Sequence, residues 1–127
     1  EDIDIAFRAQ LAGIKCVYQP KAVCYHQRGG STISTFKFQM RLNERNIVWV
    51  RFKNYPLFLY IMYQPLFFAA RMRRFYLILK HNGMECLVSA IKGYMEGILK
   101  IFSFIPKRIR IQRMKTVSSK YIYSLFR

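Results

Sequence analysis

The run "NYPLFLYIMYQPLFFAARMRR" (54–74) sets the tightest limit on how this chain can fold. From Tyr55 to Ala70 no residue is charged, and Pro56 and Pro65 interrupt the stretch. Taken as one helix, the stretch would reach about 24 Å at roughly 1.5 Å per residue. The hydrocarbon core of a bilayer is about 30 Å thick. Proline lacks an amide hydrogen and clashes with the preceding turn, so it starts helices better than it continues them. The run therefore predicts two short apolar helices, interfacial or re-entrant at a membrane, in preference to one crossing. Arg71, Arg73 and Arg74 follow at once and are expected to sit on headgroups at the cytoplasmic face.

Charge points the same way. The net charge is +16, yet the chain is 53% hydrophobic, too apolar for a disordered polymer. Residues 1–45 carry 7 Lys/Arg against 4 acids, and residues 46–127 carry 15 against 2. The second part calls for an anionic partner. Nucleic-acid binders more often pair a compact core with a separate basic face. Apolar blocks between cations suit an interface where stems and rings bury and charges reach phosphates. An anionic membrane surface is thus expected ahead of nucleic acid as the partner, with a nucleic-acid-binding protein the lesser alternative. Cys16, Cys24 and Cys86 are odd in number and form no CxxC, which indicates a reducing compartment.

Along the chain, Asp2 can cap a helix running to about Leu11, with Ile3, Phe7 and Leu11 on one face and Gly13 as its stop. "IKCVYQP" and "AVCYH" read as two short strands, separated by Pro20 and followed by a Gly29–Gly30 turn. A helix is predicted from about Thr35 to Lys53, and another from Met84 to Ile105. In the latter, Glu85, Ser89, Lys92, Glu96, Lys100 and Ser103 form a polar stripe, and Glu96 and Lys100 are ordered for an i, i+4 pair. Gly93 and Gly97, four apart, can admit a close helix neighbour while weakening their own helix. Pro106 is expected to stop this helix, leaving "KRIRIQRMK" as a basic tail.

The opening "EDIDIAFRAQLAGIKCVYQPKAVCYH", then "GGST", then "RLNERNIVWVRFKNYP", resembles in order the C-terminal part of a family 2 glycosyltransferase of GT-A fold, closest to the rhamnosyltransferase-like enzymes of cell-surface polysaccharide synthesis. The matched elements are Glu1-Asp2-Ile3-Asp4, Gly13 to Pro20, Ala22 to His26, and Arg45-Asn46. The resemblance implies an α/β fragment, mostly α. Residues 1–54 would be the end of the GT-A domain with two short strands, and 55–127 a basic, apolar, membrane-associated helical region. The chain would be the C-terminal piece of a longer protein, inactive without its nucleotide-binding half.

The resemblance also implies roles. Asp2 matches the general base, which takes the proton of an acceptor hydroxyl as its oxygen attacks the anomeric carbon of a nucleotide-sugar, with inversion. His26 matches a ligand of the divalent metal, Mn or Mg, on the leaving diphosphate. Glu1 and Asp4 are candidates for orienting the base or contacting the acceptor, and Arg28 and Ser31 for meeting phosphate or acceptor. The acceptor would be a glycan or a lipid-linked glycan. Elementary chemistry suits these assignments, because a hydroxyl is a poor nucleophile until a placed carboxylate accepts its proton, and a metal neutralises a departing diphosphate. The same residues have plainer readings. Asp2 with Glu1 and Asp4 is also a favourable acidic first turn. His26 can be structural, or join Cys16 and Cys24 at a zinc site that lacks an evident fourth ligand. The alternative reading is a non-catalytic basic membrane-binding helical module, motivated by the charge and apolar blocks of the second part.

Overall fold

The computed structural model describes residues 2–25 and 36–126. Among them are seven α-helices: α1 (Asp2–Leu11), α2 (Phe36–Asn54), α3 (Leu57–Met62), α4 (Gln64–Asn82), α5 (Met84–Leu99), α6 (Ile105–Arg113) and α7 (Ser119–Ser124), with a 3-10 turn at Ile101–Phe104.

Helix α1 stops as its glycine dictates. Gly13 adopts φ +74, its amide reaches Gln10 O (3.1 Å), and the Ile14 amide reaches Ala9 O (2.9 Å). This is the paired closing of orphan carbonyls that a left-handed glycine permits. Among the described residues the two strands expected at Ile14–Pro20 and Ala22–His26 do not form, and the α/β expectation is overturned. Among the described residues the chain is helical with no strand. Residues 14–25 have no regular structure and are exposed, up to 95% at Tyr25, with a turn in which the Ala22 amide bonds Gln19 O (3.0 Å). A strand exists only against a ladder partner, and no described segment offers one. His26 itself lies outside the described residues.

Helices α2 and α5 lie against each other along much of their length. Their contact is backbone on backbone. A Cβ at Gly93 would stand 2.1 Å from Arg41 O, and one at Gly97 would meet Arg45 O and Val48 Cβ at 3.0 Å each. The glycines therefore set the interaxial distance. Cys86, Ala90, Gly93 and Gly97, spaced four, three and four, are the buried face of α5. Its large apolar residues point elsewhere: Ile91, Met95, Leu99 (73% exposed) and Phe102 (74% exposed), the last just past the helix end, face outward. This inverts the usual amphipathic helix, which turns its bulk inward. Met40, Ile78, Cys86 and Ala90 close a core shared by α2, α4 and α5. A second core joins Leu11, Leu59, Ile111 and Ile122.

Pro56 and Pro65 divide the uncharged run as expected, Pro56 preceding α3 and Pro65 occupying the first turn of α4. Among the described residues no helix is long and apolar enough to cross a membrane. The long helix expected to end at Pro106 instead breaks at Lys100, and Pro106 opens α6, so the basic tail is helical. Proline at a helix's first turn loses no hydrogen bond, which is why it starts α6. Helix α6 then closes the carbonyl end of α2. Arg108 donates to Phe52 O and to Tyr55 O (3.0 Å), and Gln112 Nε2 donates to Lys53 O (3.1 Å) and Asn54 O (3.0 Å). Orphan carbonyls are thereby satisfied, and a guanidinium sits at the negative end of the helix dipole.

Gly93→Ala is expected to destabilise the fold by about 1–3 kcal/mol, because overpacking against a backbone oxygen outweighs the roughly 1 kcal/mol that alanine gains in a helix. Gly97→Ala, with more room, should be much nearer neutral. Urea unfolding of the two variants measures both, and equal effects would refute the backbone-contact explanation.

Candidate functional site

The acidic motif begins α1. Asp2 is exposed at the head of the helix and makes no ion pair or side-chain hydrogen bond among the described residues. Asp4, one turn in, is half-buried and engaged. Asn54 Nδ2 donates to its Oδ1 (2.7 Å), Lys53 Nζ lies 2.9 Å from the same oxygen, and Arg8 Nε lies 3.3 Å from Oδ2. Burial alone would raise the Asp4 pKa. The Asn54 hydrogen bond and the Lys53 and Arg8 charges outweigh it and hold the carboxyl below its ordinary 3.8. Asp4 thus ties α1 to the end of α2. Glu1, His26, Arg28, Ser31 and the Gly29–Gly30 turn lie outside the described residues.

Ile3 and Asp4 line a cleft of about 390 Å³ whose opposite walls are Asn43, Asn46 and Val50 of α2 and Arg71 and Arg74 of α4. At its base sits Glu44, 1% exposed. Glu44 bonds Arg71 and, at 2.9 Å, Arg74 Nε. A buried carboxylate needs such partners, since its lone desolvation would cost several kcal/mol. Of the three arginines expected at headgroups, Arg71 is instead largely buried, while the Arg74 side chain stays half exposed. Arg71 and Arg74 are committed to Glu44, and Arg71 is largely buried, whereas Arg73 is exposed. The signal was present but faint: Glu44 is one of two carboxylates between residues 5 and 95, both amid cations.

The Arg45-Asn46 pair of the resemblance stands on α2. Arg45 Nε donates to Asn46 Oδ1 (3.2 Å), while its guanidinium lies 4.5 Å from the Trp49 ring and its Nη1 is 3.4 Å from Glu96 Oε1. Trp49 donates to Gly97 O (3.0 Å) and stacks on Phe104 at 4.5 Å, so it is packing, with its ring on protein. Glu96 also binds Arg41 (3.0 Å) and the expected Lys100 (3.3 Å). The Arg41 hydrogen bond leads the contacts that lower its pKa, against an opposing burial effect. Arg51 is buried above the Phe67 ring at 3.3 Å, and burial lowers its pKa without discharging it.

A metal is implied by the family resemblance, and the described residues do not supply its site. No three of their His, Cys, Asp and Glu side chains stand together, and Asp4 is already surrounded by cations. No step through a metal is assigned to them. Cys16 and Cys24 are exposed and free, and Cys86 is buried and free. Compared with models of known protein families, with curated proteins and with solved structures, the chain matches none.

Two outcomes are expected. Removing Glu44 (Glu44→Ala) strands the largely buried Arg71 and should cost about 3–5 kcal/mol in chemical unfolding. Acid should weaken the fold through Asp4. Its folded pKa lies below its unfolded one, so the stabilisation is complete above the unfolded value of about 3.8 and drains as pH falls through the lower folded value. Unfolding midpoints of the parent chain and Asp4→Asn, followed from neutral pH to below pH 4, should converge at the acid end.

Proposed function

We propose that the chain is the acceptor-side, membrane-docking part of an inverting glycosyltransferase, acting at the cytoplasmic face of a membrane on a glycan or lipid-linked acceptor with a nucleotide-sugar donor. What carries the catalytic half of this reading is Asp2. It is an exposed carboxylate at the head of a helix, without an ion pair or side-chain hydrogen bond among the described residues, and the next residues, Ile3 and Asp4, line the cleft that holds Glu44, while Asp4, Glu44, Glu85 and Glu96 are all held by cations. The ordered likeness from Glu1 to Pro56 supports it. Asp2 accepts the acceptor's hydroxyl proton as the oxygen attacks the anomeric carbon, the bond to the diphosphate breaks, and the configuration inverts. Tying Asp4 to Lys53 and Asn54 fixes the helix on which the base rides.

The membrane half rests on a separate observation. The outward face of α5 and the outward residues Leu57, Phe58, Ile61 and Leu66 of α3 and α4 are large and apolar in a chain of net charge +16. Apolar side chains entering the acyl boundary while lysines and arginines meet anionic headgroups is the physics of peripheral docking. The same observation supports the second reading, a basic membrane-binding module without catalysis.

Two measurements separate these. Flotation with anionic vesicles should carry the chain upward, and Leu99→Glu with Phe102→Glu should leave it at the bottom. Recovery from neutral and anionic vesicles alike at background level would remove the membrane reading. In the complete protein that contains this chain, Asp2→Asn should lower sugar transfer about 10²–10⁴-fold. Undiminished transfer would leave the module reading standing.

A further inference from the structure

A second cleft, of about 400 Å³, opens where α1, the end of α2 and α6 converge. Arg8, Lys53, Lys107 and Arg110 surround a single carboxylate, Asp4, and Met114 lies in its lining. The elements put them there for stated reasons. Arg108 and Gln112 dock α6 on the carbonyls of α2, and this turns Lys107, Arg110 and Met114, spaced three and four along the helix, to the side facing α1. Leu11 and Ile111 in one core hold α1 opposite.

The charges do not cancel. Asp4 is taken by Lys53, Asn54 and Arg8. Neither Lys107 nor Arg110 has a carboxylate partner among the described residues, and Lys107 lies only against the Phe104 ring at 5.1 Å. Nor are they needed at the carbonyl end of α2, which Arg108 and Gln112 already serve. Two free cations thus project into a concave space beside two others, where field lines concentrate. Arginine and lysine donors around a recess are the chemistry that binds phosphate. An apolar recess of about 490 Å³, lined by Pro106, Ile109 and Arg113, adjoins it and shares Arg110 and Met114.

We propose that the cleft between α1, α2 and α6 is a binding site for a phosphate group, with Lys107 and Arg110 as its principal donors and Arg8 and Lys53 completing the cationic wall. The group comes from an anionic lipid headgroup, with acyl chain along the neighbouring recess, or from a free phosphate or diphosphate. The site does not depend on Asp2 or on sugar transfer.

The test uses the whole chain and two probes, inorganic pyrophosphate by calorimetric titration and phosphatidylcholine vesicles with or without phosphatidic acid by co-sedimentation. The cleft pair Lys107→Gln with Arg110→Gln is compared with a charge-matched pair at exposed positions outside it, Arg73→Gln with Lys120→Gln. Each lost charge-assisted hydrogen bond weakens binding by about tenfold or more, so the cleft pair should lose at least that and the control pair less than about threefold. Lys107→Arg with Arg110→Lys keeps the charge and should keep the binding, and thermal melts of all variants confirm folding. If the cleft pair affects both probes, the site takes the phosphate group from either source. An effect on vesicles alone identifies the lipid headgroup. An effect on pyrophosphate alone identifies the free anion, and it would stand even if flotation had disproved membrane docking. Equal losses in the cleft and control pairs would show diffuse charge only and overturn the site, as would binding of neither probe.

Discussion

The absence of side chains at Gly93 and Gly97 holds this structure together. It lets the backbone of α5 approach that of α2 until a single added carbon at Gly93 would press on Arg41 O. Such closeness fixes which faces remain free. Because α5 spends its small-residue face on α2 and α4, its large apolar residues Ile91, Met95 and Leu99 face outward, while Leu87 packs on the shared core. Glycine carries an entropic cost in a helix, and here close van der Waals contact over a long interface offsets it. The same approach brings Glu96 within reach of Arg41 and Arg45 and lets Trp49 donate to Gly97 O.

Scarcity of carboxylates organises the rest. Six acids face 22 lysines and arginines, and among the described residues four of them, Asp4, Glu44, Glu85 and Glu96, serve as nodes. Asp4 joins α1 to α2, Glu44 joins α2 to α4, Glu96 joins α5 to α2, and Lys37 on α2 reaches Glu85 on α5. Cations left over are displayed, and two of them, Lys107 and Arg110, line the recess beside Asp4. Among the described acids, Asp2 makes no ion pair or side-chain hydrogen bond with a described residue.

Much of the helical layout was legible in the residues. Gly13 ends α1, Pro56 and Pro65 divide the apolar run, α2 lies within a residue of its expected bounds, and the Gly93–Gly97 spacing announced a close neighbour. These signals are local, since proline and glycine act on their own backbone. The strands at 14–20 and 22–26 failed for the converse reason. Alternation of side chains is a local pattern, but a strand needs hydrogen bonds from another segment, and the alternating residues stay solvated without one. Pro106 opens α6 where the sequence pattern suggested a stop, because a proline marks a boundary without saying on which side the helix lies. For the candidate site, Asp2 and Asp4 were singled out together, yet nothing in their spacing distinguished the free one from the tied one. The partners of Asp4, Lys53 and Asn54, lie some 50 residues away.

The sequence by itself determined the positive charge, the division into short helices, and the small-residue seam, because each follows from the chemistry of single residues or from spacings within one or two turns. Tertiary structure decided which carboxylate is spare, which arginines are buried partners and which are displayed, and that α5 wears its bulk on the outside. Those outcomes depend on which helix comes to rest against which. That in turn is settled by distances between segments far apart in the chain, which no local pattern encodes.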